Sequence, residues 1–100
     1  MRSISRKTLV DFWLKHPPAK NPMEAWHKAV ERAPWNTFAD VRNTFNPADK
    51  AGEFVVFDVD AGYRIISVVH FNRHKVYLRH VYTHAEYDDW NEQQRKRSRE

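Results

Sequence analysis

The run Ile-Ile-Ser-Val-Val at residues 65–69 constrains the fold more than any other part of the chain. It is too apolar for one of its faces to lie in water, and short runs of this kind form buried strands. We therefore expect it to lie in the central strand of a sheet. β-rich segments at 54–59 and 75–83 lie on either side of it, separated from it by turns at 60–62 and 72–74. Two consecutive hairpins of this kind predict an antiparallel meander.

The first half of the chain has the residue spacing of helices. Aromatic and apolar residues recur at helical intervals from Leu9 to His16, with Ser5 as the expected N-cap, and the prolines at 17–18 end this helix. A second helix is predicted from Asn21, its expected N-cap, to Ala33, and a third from Phe38 to Phe45. Because the tryptophans and phenylalanines of these helices lie on apolar stripes, we expect them in the core.

Composition restricts the class of protein. A chain of 100 residues with 41% hydrophobic and 14% aromatic residues predicts one globular domain with one core. The absence of cysteine removes disulfides and thiolate chemistry and fits a reducing cytoplasm. No apolar run approaches the length of a membrane span, and the first residues do not have the pattern of a secretion signal. The net charge of +4 favours a polyanionic or acidic partner.

The two ends of the chain complete the predicted layout, which is α+β. Residues 2–4 are expected to form a short first strand. Residues 93–100, QQRKRSRE, contain no apolar side chain, so we expect a frayed basic tail. The folded domain is accordingly predicted to span residues 1–92.

The segment KVYLRHVYTHAEYD, residues 75–88, carries the densest group of candidate functional residues. Its strand is expected to end at Thr83 and to be followed by three candidates, which are His84, Glu86 and Tyr87. Arg79 and His80 lie within the strand, where alternation directs them to opposite faces. A general base, a cation and an aromatic ring this close together suit a small RNA-cleaving site. The structural alternative is that His, Glu and Asp at this point only cap a turn.

The hairpin between the last two predicted strands positions an arginine beside this segment. Its turn places Arg64 opposite Tyr82 or Thr83, next to His84. The preceding hairpin places Arg64 opposite Asp58 or its neighbour. An arginine in a central strand needs a carboxylate or a phosphate to bind. Two roles therefore stay open for Arg64, an ion pair with Asp58 and a phosphate clamp, and they can coexist.

A series of short motifs in a fixed order resembles one known family. The motifs are ISRKTL with FW and HP after it, AW, VVFDV, YRII and VYLRHVYTHAEYD, over residues 2–90. The chain resembles the HigB-type messenger-RNA interferase toxins of the RelE-like superfamily. The resemblance implies N-terminal helices packed on a small, mainly antiparallel sheet, with a short C-terminal helix. It also implies cleavage of messenger RNA, commonly on the ribosome, and a cognate antitoxin, usually with a helix-turn-helix domain.

The chemistry of such a site assigns a role to each candidate. RNA supplies the 2′-hydroxyl nucleophile, so no cofactor or metal is expected. We assign His84 as the leading acid/base group, with Glu86 and His80 as weaker candidates. Arg64 would clamp the phosphate, Arg79 would be a second cation, and Tyr87 would hold a base or the scissile phosphate. The expected substrate-binding residues are His80, Tyr82, Lys75 and Arg73.

Three other classes of function stay open. One is a non-catalytic RNA- or DNA-binding module that uses the basic, aromatic surface. Another is a protein-interaction domain with no nucleic-acid role. The last is a metal site, but four-residue steps bring ligands together only on a helix, whereas the histidines concerned lie on predicted strands and turns. These histidines are His70, His74, His80 and His84.

Overall fold

The computed structural model describes residues 1–60 and 62–99. Within them the chain forms four α-helices and one five-stranded mixed sheet, which confirms the predicted α+β class. In chain order the elements are β1 (Arg2–Ile4), α1 (Arg6–Lys15), α2 (Lys20–Arg32), α3 (Phe38–Thr44), β2 (Asp49–Ala51), β3 (Phe54–Val59), β4 (Tyr63–His70), β5 (Lys75–Thr83) and α4 (His84–Arg99).

The sheet has the strand order β1-β5-β4-β3-β2. Neighbouring strands are antiparallel except β1, which runs parallel to β5. The predicted central strand is confirmed, because β4 is the middle strand and Ile65, Ile66 and Ser67 are buried. The three-residue edge strand β2 was not predicted, because its residues show no apolar alternation.

Helices cover the two faces of the sheet unequally. On one face α1 and α2 close the larger core, and the tryptophans predicted for this core are buried there. On the opposite face α4 closes a smaller cluster of Val56, Ile66 and Trp90. The buried aromatic residues of the larger core include Trp13, Trp26, Trp35 and Phe57.

Local hydrogen bonds explain where the first helices begin. The Ser5 hydroxyl accepts a hydrogen bond from the Lys7 N–H at 3.2 Å, which confirms the predicted cap of α1. The predicted cap of α2 is wrong, because Asn21 lies inside the helix, which begins at Lys20. A 3-10 turn at Pro17–Ala19 leads directly into α2, since proline holds its φ angle near the helical value.

The C-terminal helix is longer than predicted. It continues to Arg99, so residues 93–99, expected to be a frayed tail, are helical. Glu, Gln, Arg and Lys are strong helix formers, and Lys96 lies 3.7 Å from Glu92 one turn earlier. Glu100 lies outside the described residues, as does Ala61 in the turn predicted at 60–62. The domain boundary at residue 92 stays a prediction.

The register of β4 agrees with the prediction from hairpin spacing. Arg64 pairs with Asp58 on β3 and with Tyr82 on β5. A β-bulge then changes the phase of β5, because Ile66 pairs with His80 whereas the next residue of β4 pairs with Leu78. The extra residue in β5 is Arg79, for which alternation along an unbroken strand gave no indication.

The bulge decides which side chains of β5 share a face. Leu78 and Val81, three residues apart, both pack against the larger core. His80 and Tyr82 are thereby directed to the opposite face, where Trp90 lies. The bulge thus brings two rings of β5 to the face that also carries Arg64.

Candidate functional site

The junction between β5 and α4 holds His84 at the end of the sheet. The N–H of His84 donates to the Gly62 carbonyl at 2.9 Å. Thr83 and Glu86 form a reciprocal cap, in which the Thr83 N–H donates to Glu86 Oε1 at 2.9 Å and the Glu86 N–H donates to Thr83 Oγ1 at 3.3 Å. The capped-turn alternative is therefore confirmed for Glu86, whose carboxylate has a structural partner.

The two ring nitrogens of His84 have different partners. Arg64 Nη2 lies 2.9 Å from Nδ1, and Asp88 Oδ2 lies 3.3 Å from Nε2. A guanidinium can only donate, so Nδ1 must accept and the proton of the neutral ring must be on Nε2, facing Asp88. The His84 side chain is 57% exposed, so a substrate can reach it.

Arg64 is nearly buried and is held by several contacts. Its side chain is 11% exposed, and its Nε lies 2.9 Å from Asp58 Oδ1, which confirms the predicted ion pair. Its Nη1 donates to the Tyr63 carbonyl at 2.9 Å. Its Cζ lies 5.8 Å from the centre of the Tyr87 ring. These contacts direct the remaining arm of the guanidinium at His84, so Arg64 positions the histidine.

Two tyrosines near His84 keep their protons over the physiological range. Burial raises the pKa of Tyr87, Asp49 and Asp58 raise it further, and Arg64 acts in the opposite direction. Burial also raises the pKa of Tyr82, with a contribution from the charge of Glu86. Both hydroxyls are therefore available as hydrogen-bond donors.

A group of stacked rings adjoins this network. The rings of His80 and Tyr82 are parallel within 9° with their centres 5.2 Å apart, and Trp90 lies 6.2 Å from His80. Burial lowers the pKa of His80, and the neighbouring charge of Arg79 lowers it further, so this ring is neutral near pH 7. Neutral, partly exposed rings can stack on unpaired bases.

Arg79 lies in a groove that contains residues missed by the sequence analysis. The groove has a volume of about 340 Å³ and lies between α1 and β5. Lys15 and His16 from the end of α1 line it together with Arg79. One pattern in the sequence points to this surface, since the polar residues of α1 recur at the spacing of a single helical face.

Lys75 and Arg73 do not join the cluster around His84. Lys75 begins the nine-residue strand that Thr83 ends, and Arg73 lies in the turn before it. At ~3.3 Å per residue the two ends of this strand are about 26 Å apart. Their nearness in sequence is therefore not nearness in space, and a role for them in substrate binding stays a prediction.

Among the residues that the structure describes, no three His, Cys, Asp or Glu side chains group as metal ligands. None of the described helices combines the length and apolar character needed to cross a bilayer.

Comparison with protein families assigns the chain. The model of the HigB toxin family, described as the RelE-like toxic component of a toxin-antitoxin system, matches residues 19–90. The chain belongs to the HigB toxin family. A cognate antitoxin is therefore its partner. The HigB match includes Arg64, Arg79 and His84, whereas β1 and α1 lie before its first residue. A comparison with curated proteins finds no match.

Proposed function

We propose that this HigB-family toxin is an endoribonuclease that cleaves messenger RNA by attack of the RNA's own 2′-hydroxyl. The oxygen would bond to the adjacent phosphorus while the bond to the 5′-oxygen breaks, leaving a 2′,3′-cyclic phosphate and a 5′-hydroxyl. The observation that carries the proposal is the chain of contacts Asp58–Arg64–His84–Asp88. It holds an exposed histidine in one tautomer beside a nearly buried arginine.

In this proposal His84 removes the proton of the 2′-hydroxyl through Nδ1. Arg64 occupies Nδ1 in the free protein. A phosphate oxygen of the substrate would take the Arg64 donor, which frees Nδ1 to act as a base. Asp88, beside Nε2, would stabilise the imidazolium that forms. The contact of Arg64 with the phosphate would thereby both bind the substrate and activate His84 as a base.

The remaining groups would act on charge and position. Arg79 and Arg64 would stabilise the negative charge that develops on the phosphate without a metal ion. Tyr87, which retains its proton, would donate to a phosphate oxygen or to the leaving 5′-oxygen. His80 and Tyr82 would stack on bases next to the cleaved bond. Glu86 has a smaller part, since its carboxylate already caps α4.

The partners of the enzyme are part of the same proposal. The substrate would be messenger RNA, either free or on the ribosome, and the reaction would take place in the cytoplasm. The antitoxin would carry a helix-turn-helix domain. A small helix-turn-helix protein encoded next to this chain would support this assignment.

A second candidate function is a module that binds RNA or DNA without cutting it. The stacked His80 and Tyr82 rings beside the exposed Arg79 favour it, because they would bind nucleic acid even if His84 were inactive. The two candidate functions differ in whether the protein cleaves RNA and needs His84 to do so.

Expression without the antitoxin separates the two functions. We expect growth arrest and new messenger-RNA 5′ ends in RNA sequencing after induction, and neither effect with His84→Gln at the same protein level. Unchanged transcripts alongside soluble, folded protein would exclude the nuclease and favour the binding module.

A further inference from the structure

The groove between α1 and the edge of β5 has a wall that no strand covers. β1 pairs only with residues 75–77 of β5, so among the described residues the edge from Leu78 onward has no strand beside it. One face of α1 lies across from this edge and lines the groove. The residues of that face follow helical spacing and are Thr8, Asp11, Phe12, Lys15 and His16.

The charge available in the groove is positive. Its two acidic groups are already engaged, because Asp11 Oδ2 lies 2.9 Å from Lys7 Nζ and Glu86 caps α4. Lys15 and Arg79 are exposed and form no salt bridge with any residue that the structure describes. Two cations are thus free to bind an anionic chain.

Residues of two ring stacks line the groove, one pair from each side. On α1 the rings of Phe12 and His16 stack with their centres 4.5 Å apart and 28° between their planes. On β5 the rings of His80 and Tyr82 form the second stack, described above. Rings beside free cations are the arrangement that binds single-stranded nucleic acid, with bases on the rings and phosphates on the cations.

We propose that this groove is a binding track for single-stranded RNA leading to the His84 site. Lys15 and Arg79 would bind backbone phosphates, and the two stacks would hold bases. The inference rests on the proposed function and extends it, since Tyr82 in the groove pairs with Arg64, which contacts His84. An acidic protein strand would match the charge of the groove, but it would gain nothing from the two ring stacks.

The proposal assigns substrate binding to a part of the chain outside the family match. α1 precedes residue 19, where the match begins. RNA preference would therefore depend in part on Lys15 and His16 as well as on the residues around His84.

Binding of a fluorescein-labelled 12-nucleotide single-stranded RNA over a range of salt concentrations tests the proposal. The parent protein carries His84→Gln to prevent cleavage. Adding Lys15→Gln with Arg79→Gln should make the slope of log affinity against log salt shallower by about 1.4, since each phosphate contact on a single strand contributes ~0.7. His16→Ala should lower the affinity at least about fivefold through lost stacking.

A matched control removes the same charges elsewhere. Lys28→Gln with Arg42→Gln, both exposed on other helices, should leave the slope near that of the parent. Circular dichroism establishes that each variant is folded, as expected for exposed positions.

The possible outcomes separate this inference from the proposed function. If the groove variants and the control have equal slopes while the parent binds and the wild type cleaves RNA, the track is excluded and the nuclease stands. If neither binding nor cleavage occurs, both proposals fall. If a labelled hexaglutamate peptide binds as tightly as RNA and loses binding in the same variants, the groove belongs to a protein partner.

Discussion

Arg64 and His84 should act as one unit in cleavage. Arg64→Ala removes both the donor 2.9 Å from His84 Nδ1 and the partner of Asp58, whereas His84→Gln removes the group that titrates. Loss of a general base or of a charge-stabilising donor typically lowers a rate by ~10²–10⁴-fold. We therefore expect either single change to abolish toxicity.

The double variant measures how far the two residues depend on each other. If they acted independently, the two losses would multiply to about 10⁴–10⁸-fold. Because the 11%-exposed guanidinium holds the ring directly, we expect the double variant to be no slower than the slower single variant. The loss in the double variant would then be at least ~10²-fold smaller than the product of the single losses. This factor corresponds to a coupling free energy of about 2.7 kcal/mol. An exposed surface pair would give less than ~1 kcal/mol.

Single-turnover cleavage of a defined messenger RNA gives the rates of the wild type, the two single variants and the double variant. Purified ribosomes are added if the free protein does not cut. Arg64→Lys is the matched control, because one ammonium keeps the charge but cannot make the contacts of the guanidinium to Asp58, Tyr63 and His84 together. We expect Arg64→Lys to be nearly as inactive as Arg64→Ala. A double variant whose loss equals the product of the single losses would refute the idea that Arg64 works through His84.

Four further predictions concern stability and chemistry. Trp26→Ala should lower the free energy of unfolding by ~3–5 kcal/mol, because this ring is 3% exposed and packs on Phe57. His84→Ala should lower it far less. Equal losses in denaturant titrations would mean that His84 is a core residue. Tyr87→Phe should lower the cleavage rate strongly if the hydroxyl donates to the phosphate, and a rate close to wild type would instead assign the ring to stacking. Burial lowers the pKa of His80 from 6.5, so the unfolded chain binds more protons than the folded chain as the pH falls. The free energy of unfolding should therefore fall more steeply from about pH 7 to pH 5 in the wild type than in His80→Gln. Parallel curves of unfolding free energy against pH would contradict this. Cleavage products should carry 2′,3′-cyclic phosphate and 5′-hydroxyl ends, and cleavage by the free protein should survive excess chelator; 5′-phosphate ends would point to a metal-dependent mechanism.

The elements that depend on local pattern could be predicted from the sequence. The apolar run at 65–69 identified the central strand, and hairpin spacing placed Arg64 opposite Asp58 and Tyr82. Both inferences rest on strand alternation and short turns, which a sequence displays directly. The same reasoning located His84 at the end of β5.

What could not be predicted depends on tertiary packing or on a change of phase. The bulge at Arg79 leaves no mark in the apolar pattern, because Leu78 and Val81 read equally well as parts of a continuous strand. Lys15 lines the groove only because α1 packs beside β5, which the sequence does not display. Lys75 was grouped with His84 because both lie in one segment, although a strand extends the chain and separates its ends.

The bulge also takes Arg79 out of the alternation of side chains along β5. A substitution there changes one side chain, whereas a deletion would remove the extra residue and let β5 pair with β4 without a bulge, with His80 still opposite Ile66 and Leu78 still opposite Ser67. If β5 instead kept Arg79 and paired without the bulge, Val76 and Leu78, now against the helices, would face the side of α4, and Tyr77 would enter the core. The bulge, more than the identity of the residue in it, keeps the rings of His80 and Tyr82 and the core residues of β5 on their separate sides.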